Sequence, residues 1–242
     1  MSKLTRRQFI KNSTAAGVGI LGAPAILSAE AKGEKLRVAF IGVGGINNRH
    51  ITDTISHGDI CGAYCDVDSS RYTNIPNGIA ALEKDGNSWL AKQWKAAKGF
   101  QDYREMLDNE PEIDAVLIST PDHMHAPIAM HAMNMGKHVY VQKPLCHTVN
   151  ECRVLASAAE ANNVVSQMGN QGHAEEGARV INEWVASGAL GTIREVHCWT
   201  NRPVWPQGIG RPEGNMPIPD SVGWDLWLGA APYRPYVEKA YH

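Results

Sequence analysis

Short apolar runs alternate with longer amphipathic stretches along most of this chain. Leu36–Ile41, Ile60–Cys65, Ala115–Ser119, His138–Val141 and Val164–Met168 are compact and rich in β-formers, as strands covered on both faces are. Between them the spacing predicts helices over Ile46–Ser56, around Trp89 and Trp94, over Tyr103–Leu107, over Pro127–Met135 and over Val149–Ala161. Gly136 stops the fourth of these, and Asn74, Pro76, Asn77 and Gly78 break the segment that precedes Trp89. Regular alternation of strand and helix predicts an α/β domain over residues 35–168, a doubly wound parallel sheet with helices on both faces. After Gly169 the texture changes. Ala178–Val185 is amphipathic and ends near Gly188, Ile193–Trp199 alternates like a strand covered on one face, and residues 201–223 carry five prolines and four glycines. Residues 169–242 therefore read as the start of a second domain.

Composition narrows the function classes. With 43% hydrophobic and 20% charged residues and a formal net charge of −2, the 242 residues are globular in type. They offer no basic footprint for nucleic acid or for an anionic membrane. The five cysteines show no zinc spacing. Cys61 and Cys65 share a predicted strand about 13 Å apart, too far for a disulfide, so the cysteines are read as small apolar residues. The N-terminus stands apart. Thr5–Lys11 holds an Arg6-Arg7 pair before an apolar, Gly/Ala-rich stretch, and Ala29-Glu30-Ala31 provides small residues for cleavage. This is the pattern of a twin-arginine signal peptide over residues 1–31, implying the export machinery as a partner and the periplasm as destination. The stretch is too short, and too interrupted by Pro24, for a stable membrane anchor.

The candidate chemistry begins where the first strand ends. Gly42-Val43-Gly44-Gly45-Ile46-Asn47 has the order of a dinucleotide-binding turn, with Gly42 making the bend and Gly44 admitting the pyrophosphate to the helix N-terminus. Gly45 and Ile46 complete the turn, while Asn47 stands where Gly or Ala is usual, which predicts looser packing of helix on strand. The second strand ends in Asp66, about twenty residues on, where a carboxylate binds the adenosine ribose hydroxyls and repels a 2′-phosphate. The combination predicts a Rossmann-type domain that binds NAD. Asp68 reads as a solvated neighbour.

Two further motifs carry a family resemblance. Ser119-Thr120-Pro121-Asp122-His123-Met124-His125-Ala126-Pro127 leads into a helix, and Gly136-Lys137-His138-Val139-Tyr140-Val141-Gln142-Lys143-Pro144 follows it. In this order they resemble the Gfo/Idh/MocA oxidoreductases, the family of glucose-fructose oxidoreductase and inositol dehydrogenase. The resemblance implies that Thr120 and Pro121 line the cofactor cleft and that His125 lies near the nicotinamide half. It implies that Lys143 is the catalytic lysine, holding the substrate hydroxyl, and that Pro144 fixes the strand end, often through a cis bond. Asn170 falls where relatives bring a polar side chain to the nicotinamide. Gln142 replaces the usual Glu; it keeps hydrogen-bonding capacity but removes a negative charge beside Lys143.

The resemblance also implies a second domain with a largely antiparallel sheet, carrying a D-x-x-x-H segment whose histidine is a general acid or base. Trp224-Asp225-Leu226-Trp227-Leu228-Gly229 resembles the stretch before that region, and no such segment follows it, so the expectation is a truncated front part of a longer protein, homo-oligomeric when whole. Trp199, Arg202 and Trp205 form an aromatic, proline-rich loop able to stack on a sugar ring. His123, His125, His131, His138 and His147 sit on different predicted elements and are not read as a metal site. The expected function is hydride transfer from a hydroxyl-bearing carbon of a sugar or cyclitol to tightly bound NAD. The alternatives are NAD-dependent glycoside cleavage through a transient keto-sugar, and non-catalytic binding of NAD or sugar.

Overall fold

The strands β1 (Arg37–Ile41), β2 (Ile60–Cys65), β3 (Lys98–Phe100), β4 (Ala115–Ile118), β5 (His138–Gln142) and β6 (Ser166–Gly169) form one sheet. Their order is β3-β2-β1-β4-β5-β6, and every neighbouring pair is parallel. This is a computed structural model, and it describes residues 35–73, 88–201, 208 and 210–240; the predicted signal peptide, Arg202 and Trp205 lie outside the described residues. Leu36–His242 belong to one unit.

The helices are α1 (Asn47–Ser56), α2 (Ser70–Thr73), α3 (Ser88–Ala96), α4 (Tyr103–Asn109), α5 (His125–Asn134), α6 (Val149–Ala161), α7 (Glu176–Ser187) and α8 (Trp224–Leu228). Alternation along the strands divides their side chains between two cores. Val38, Phe40 and Leu117 meet Ile51 and Ile55 of α1 and Ala91 and Trp94 of α3. Ala39, Ile41, Val116, Ile118, Val139 and Val141 meet Met106 of α4, Ile128 and Met133 of α5 and Leu155 of α6. Both faces of the central strands are thus covered, as near-continuous apolar strands require, whereas the edge strand β6 leaves Ser166, Gln167 and Met168 exposed. Tyr64 of β2 stacks on Trp94, with centroids 4.0 Å apart and planes 9° apart.

The register between β1 and β2 slips between Val38 and Ala39, where Val38 faces Cys61 but Ala39 faces Ala63. Such a bulge reverses the alternation. Cys61 and Cys65, which a regular strand would point the same way, therefore enter different cores. Both are buried free thiols, and burial pushes Cys61 up to about 12. For these two, the reading as small apolar residues fits.

Local chemistry sets the helix ends. Asp102 caps α4 by accepting from the Arg104 amide at 2.9 Å. Thr148 and Glu151 form a reciprocal capping box at the start of α6. Gly188, at φ +73°, ends α7 in the left-handed conformation, near where the sequence predicts the helix to stop.

Beyond β6 one expectation is corrected. Ile193–Trp199 forms no strand, because alternation makes a strand only beside a paired neighbour, and residues 189–199 are exposed throughout. Helix α7 likewise leaves Ile181, Trp184 and Val185 about half exposed. Residues 219–239 instead return to the first domain. The Ser69 amide donates to the Ser221 carbonyl at 2.8 Å, the Gly223 amide to the Val67 carbonyl at 2.8 Å, and Gln101 Nε2 to both of those carbonyls at 2.9 Å.

Candidate functional site

From β1 the chain proceeds outward through β2 to β3, then crosses to the other side of β1 for β4. The carboxyl ends of β1 and β4 therefore diverge into a crevice, the place where open α/β sheets bind ligands. A cleft of about 1100 Å³ opens there. Gly42 follows β1 at φ +78°, with its amide donating to the Cys65 carbonyl at 2.8 Å. A Cβ on Gly42 would lie 2.7 Å from the Ser119 carbonyl oxygen, so the turn passes the end of β4 with no room for a side chain.

Asn47 proves to be a clamp. It is fully buried, and its Nδ2 donates to the Gly42 carbonyl at 2.6 Å. The looser packing expected at this position does not occur, because the amide fills the space that a small residue would leave and ties the helix to the turn. Among the described residues the amides of Gly44, Gly45 and Ile46 donate to no protein acceptor, leaving them for an anion at the start of α1. Asp66 anchors the other wall. One carboxylate oxygen accepts from the Val43 amide and the other from the Asp68 amide, each at 3.0 Å. Burial pushes this carboxyl above its ordinary range, against the pull of those two amides and of Arg71.

At the end of β4, the hydroxyls of Ser119 and Thr120 are buried with no hydrogen-bond partner. Unpaired buried hydroxyls in a cleft wall are acceptor and donor sites for a polar ligand. Free turn amides, a side-chain-free bend, a carboxylate opposite and two orphaned hydroxyls fit a dinucleotide. The amides and the bend would hold the pyrophosphate, the carboxylate the ribose, and the two hydroxyls the nicotinamide portion.

The Lys143–Pro144 peptide bond is cis. Buried His125 sits between this turn and the β4 turn, with Nδ1 2.6 Å from the Pro144 carbonyl and Nε2 2.8 Å from the Thr120 carbonyl. A neutral ring bonds one of these carbonyls and a doubly protonated ring both. His125 thus lies in the cleft wall and acts through the two turns it joins. Lys143 is exposed at the mouth, and its amide donates to Gln142 Oε1 at 3.1 Å.

Gln142 is buried, and its Nε2 contacts His50 Nε2 from α1. Gln171 Nε2 also approaches His50 Nε2, at 3.2 Å, and donates to the Tyr140 hydroxyl at 3.3 Å. His50 is thereby the acceptor that fixes which way Gln142 presents its oxygen. Gly169 makes room for the cluster, since a Cβ there would come within 2.8 Å of the Tyr140 ring. The sequence reading missed His50 and Gln171; a lone histidine on a surface-patterned helix carries no signal of a partner 92 residues away. Gln171 lines the cleft, whereas Asn170 is exposed outside the lining. Trp199 is 86% exposed and also lies outside it. The other cofactor candidates, Gly42, Gly44, Gly45, Ile46, Asp66, Thr120, Pro121, His125, Gln142 and Lys143, all line one cleft.

Burial lowers the His50 pKa, with Arg49 acting in the same direction and Asp53 opposing. A histidine with a depressed folded value contributes stability that is present above the unfolded value of 6.5 and is lost as pH falls through the folded value. The melting temperature of the wild type should therefore fall more steeply than that of His50→Gln between pH 7.5 and 5. Parallel profiles would exclude His50 as the source.

The segment 219–239 roofs the cleft. His123 Nε2 contacts the Trp227 carbonyl at 2.8 Å, Trp224 stacks on Trp227 at 4.9 Å, and Trp224 Nε1 donates to the Arg234 carbonyl at 2.8 Å.

Residues 36–170 match the Gfo/Idh/MocA family, an oxidoreductase family with an NAD-binding Rossmann fold. The match covers more than half of the chain. The chain belongs to this family. Among relatives, a glycosyl hydrolase family 109 protein of Shewanella pealeana is 31% identical over 211 residues, 79% of this chain and 44% of the relative. An alpha-N-acetylgalactosaminidase of Shewanella oneidensis is 28% identical over 218 residues, 80% of this chain and 45% of that protein. The chain thus spans less than half the length of these relatives. Among solved structures, myo-inositol 2-dehydrogenase from Lactobacillus plantarum superposes with a TM-score of 0.53 at 27% identity, covering 66% of this chain and 43% of that one. The WlbA dehydrogenase from Bordetella pertussis, in complex with NADH and UDP-GlcNAcA, shares the fold at a TM-score of 0.51 and 22% identity over 65% of this chain and 41% of that one. NAD is the cofactor that the family's fold binds.

Proposed function

We propose that the protein is an NAD-dependent oxidoreductase acting on a hydroxyl-bearing carbon of a sugar or cyclitol, with NAD retained through the cycle. The observation that carries this reading is a single cleft with the glycine turn and Asp66 at one end and Lys143, on its fixed turn, at the other. NAD bound there supplies the hydride acceptor. The chain's own residues do the rest. The Gly44–Ile46 amides bind the diphosphate, and Asp66 accepts from ribose hydroxyls. Ser119 and Thr120 supply hydroxyls at the reacting end. Lys143 orients the substrate hydroxyl for loss of its proton, and His125 and Gln142 hold the lysine's backbone in place. The roof over the cleft supports slow cofactor release.

A second reading is favoured by the glycosyl hydrolase relatives: the hydride returns to the same sugar after the glycosidic bond has broken, so that NAD is regenerated each turnover. The Arg6-Arg7 leader supports export by the twin-arginine pathway to the periplasm, where a retained cofactor suits a compartment without its own supply. The whole protein is proposed to be a homo-oligomer with a second, substrate-binding domain starting near residue 169.

The test is to purify the full-length protein, denature it and assay the supernatant for NAD, then offer sugars, cyclitols and glycosides. Co-purified NAD together with NADH formation on a polyol is the expected result. Aglycone release without net NADH selects the second reading. No bound NAD, and no rise in melting temperature on adding it, would overturn both.

A further inference from the structure

Cys146 and Cys152 stand apart from the other cysteines. Their sulfurs lie 2.9 Å apart, well inside the distance of ordinary non-bonded contact. Cys146 follows the Lys143–Pro144 turn by two residues, and Cys152 lies in the first turns of α6. The five residues between them are held in one arrangement. Glu151 accepts from the amides of His147 and Thr148 at 2.8 and 2.7 Å, and the Glu151 amide donates to Thr148 Oγ1 at 3.1 Å. The helix cap therefore presents the two sulfurs to each other.

We propose that Cys146 and Cys152 are a disulfide-forming pair that staples the lysine-bearing turn to α6. The sulfurs need to approach by only about 0.9 Å to reach bonding distance. Exposed Cys152, as thiolate, attacks an external disulfide of the low-molecular-weight or oxidoreductase class, and one external thiolate leaves. The Cys146 thiol, pushed up to about 11 by burial and by the adjoining Cys152 thiol, stays protonated until this stage. It then loses its proton to solvent and attacks Cys152 Sγ, expelling the second external thiolate. The protein gives up two protons and two electrons, and the external disulfide becomes two thiols. Because His125 already ties the Pro144 carbonyl to the β4 turn, the staple fixes the Lys143 turn from both sides. The remaining thiols do not compete: Cys61 and Cys65 are buried in separate cores, and Cys198 is exposed elsewhere and is removed from the experiment by C198S.

The full-length C198S protein is incubated under native conditions with oxidised glutathione and then cleaved after Glu151. The expected product is about 2 Da lighter than the reduced protein, with the fragments holding Cys146 and Cys152 joined until reductant is added. C146S, also in the C198S background, should instead retain glutathione on Cys152, about 305 Da heavier. The oxidised C198S protein should also melt higher than its reduced form, and the C146S form should show no such difference. Stable glutathione adducts on Cys152 while Cys146 is present, or two free thiols after oxidation, would overturn the proposal.

Discussion

Gly42→Ala is expected to weaken NAD binding at least ~100-fold, equivalent to about 2.7 kcal/mol, and to lower stability as well. Two effects add at this position. The backbone sits at φ +78°, where an L-residue costs about 1–2 kcal/mol. The new Cβ would also meet the Ser119 carbonyl oxygen at 2.7 Å and the Thr120 amide at 3.0 Å, both backbone atoms that cannot rotate away. Relief requires β1 and β4 to separate at the crevice, which misplaces the Ser119 and Thr120 hydroxyls. The neighbouring glycines provide controls. Gly44→Ala meets only Arg71 Nη1 at 3.8 Å and should leave the melting temperature unchanged while crowding the diphosphate. Gly45→Ala has open space but φ +52°, so it should lose about 1 kcal/mol of stability and keep more affinity than Gly42→Ala. Calorimetric titration with NAD and thermal melts of the three variants check this. Equal behaviour of all three would show that the close approach is not what the turn requires.

Asp66→Asn should weaken NAD binding more than tenfold and narrow the preference for NAD over NADP. The carboxylate bonds two backbone amides, and hydrogen bonds to a charged group are worth about 1.5–3 kcal/mol each. Asparagine keeps one acceptor oxygen and turns an N–H₂ toward the other amide. It also removes the charge that repels a 2′-phosphate. The pH dependence follows from burial, which raises the folded pKa of Asp66 above 3.8. Between the unfolded and folded values the native state holds the extra proton, so stability contributed by this group falls as pH rises through that window. Cofactor binding runs the opposite way, because the ribose needs the ionised form. NAD affinity of the wild type should therefore drop as pH is lowered through the raised value, and Asp66→Asn should not show that drop. The comparison is made by titration at several pH values.

Much of this site was legible because its elements are local in sequence. The glycine turn, the acid closing the second strand and the two ordered motifs through Lys143 each lie at the carboxyl end of an apolar run, and parallel strands bring those ends to one edge. The three-residue strand Lys98–Phe100 escaped notice because it is short, lies at the sheet edge and holds one partly buried apolar side chain, Phe100. Asn47 looked like a defect in the glycine pattern, since the sequence does not show that its amide reaches the Gly42 carbonyl. The cysteines were all read alike, although Cys61 and Cys65 serve separate cores and Cys146 and Cys152 meet across a helix cap.

The sequence by itself determined the strand and helix alternation, the parallel α/β class, the cofactor class and most of the cofactor candidates that line the cleft, though not Gln171. Periodicity and turn chemistry act over a few residues and are written directly in the chain. Tertiary structure alone decided the rest: that His50 orients Gln142, that His125 joins two turns, that residues 219–239 roof the cleft, and that Ile193–Trp199 is left unpaired. Each of these depends on side chains or backbone groups distant in sequence, or on whether a neighbouring strand is present. Hydrophobic patterning states that a surface is to be covered or a polar group satisfied; only the packed chain selects the partner.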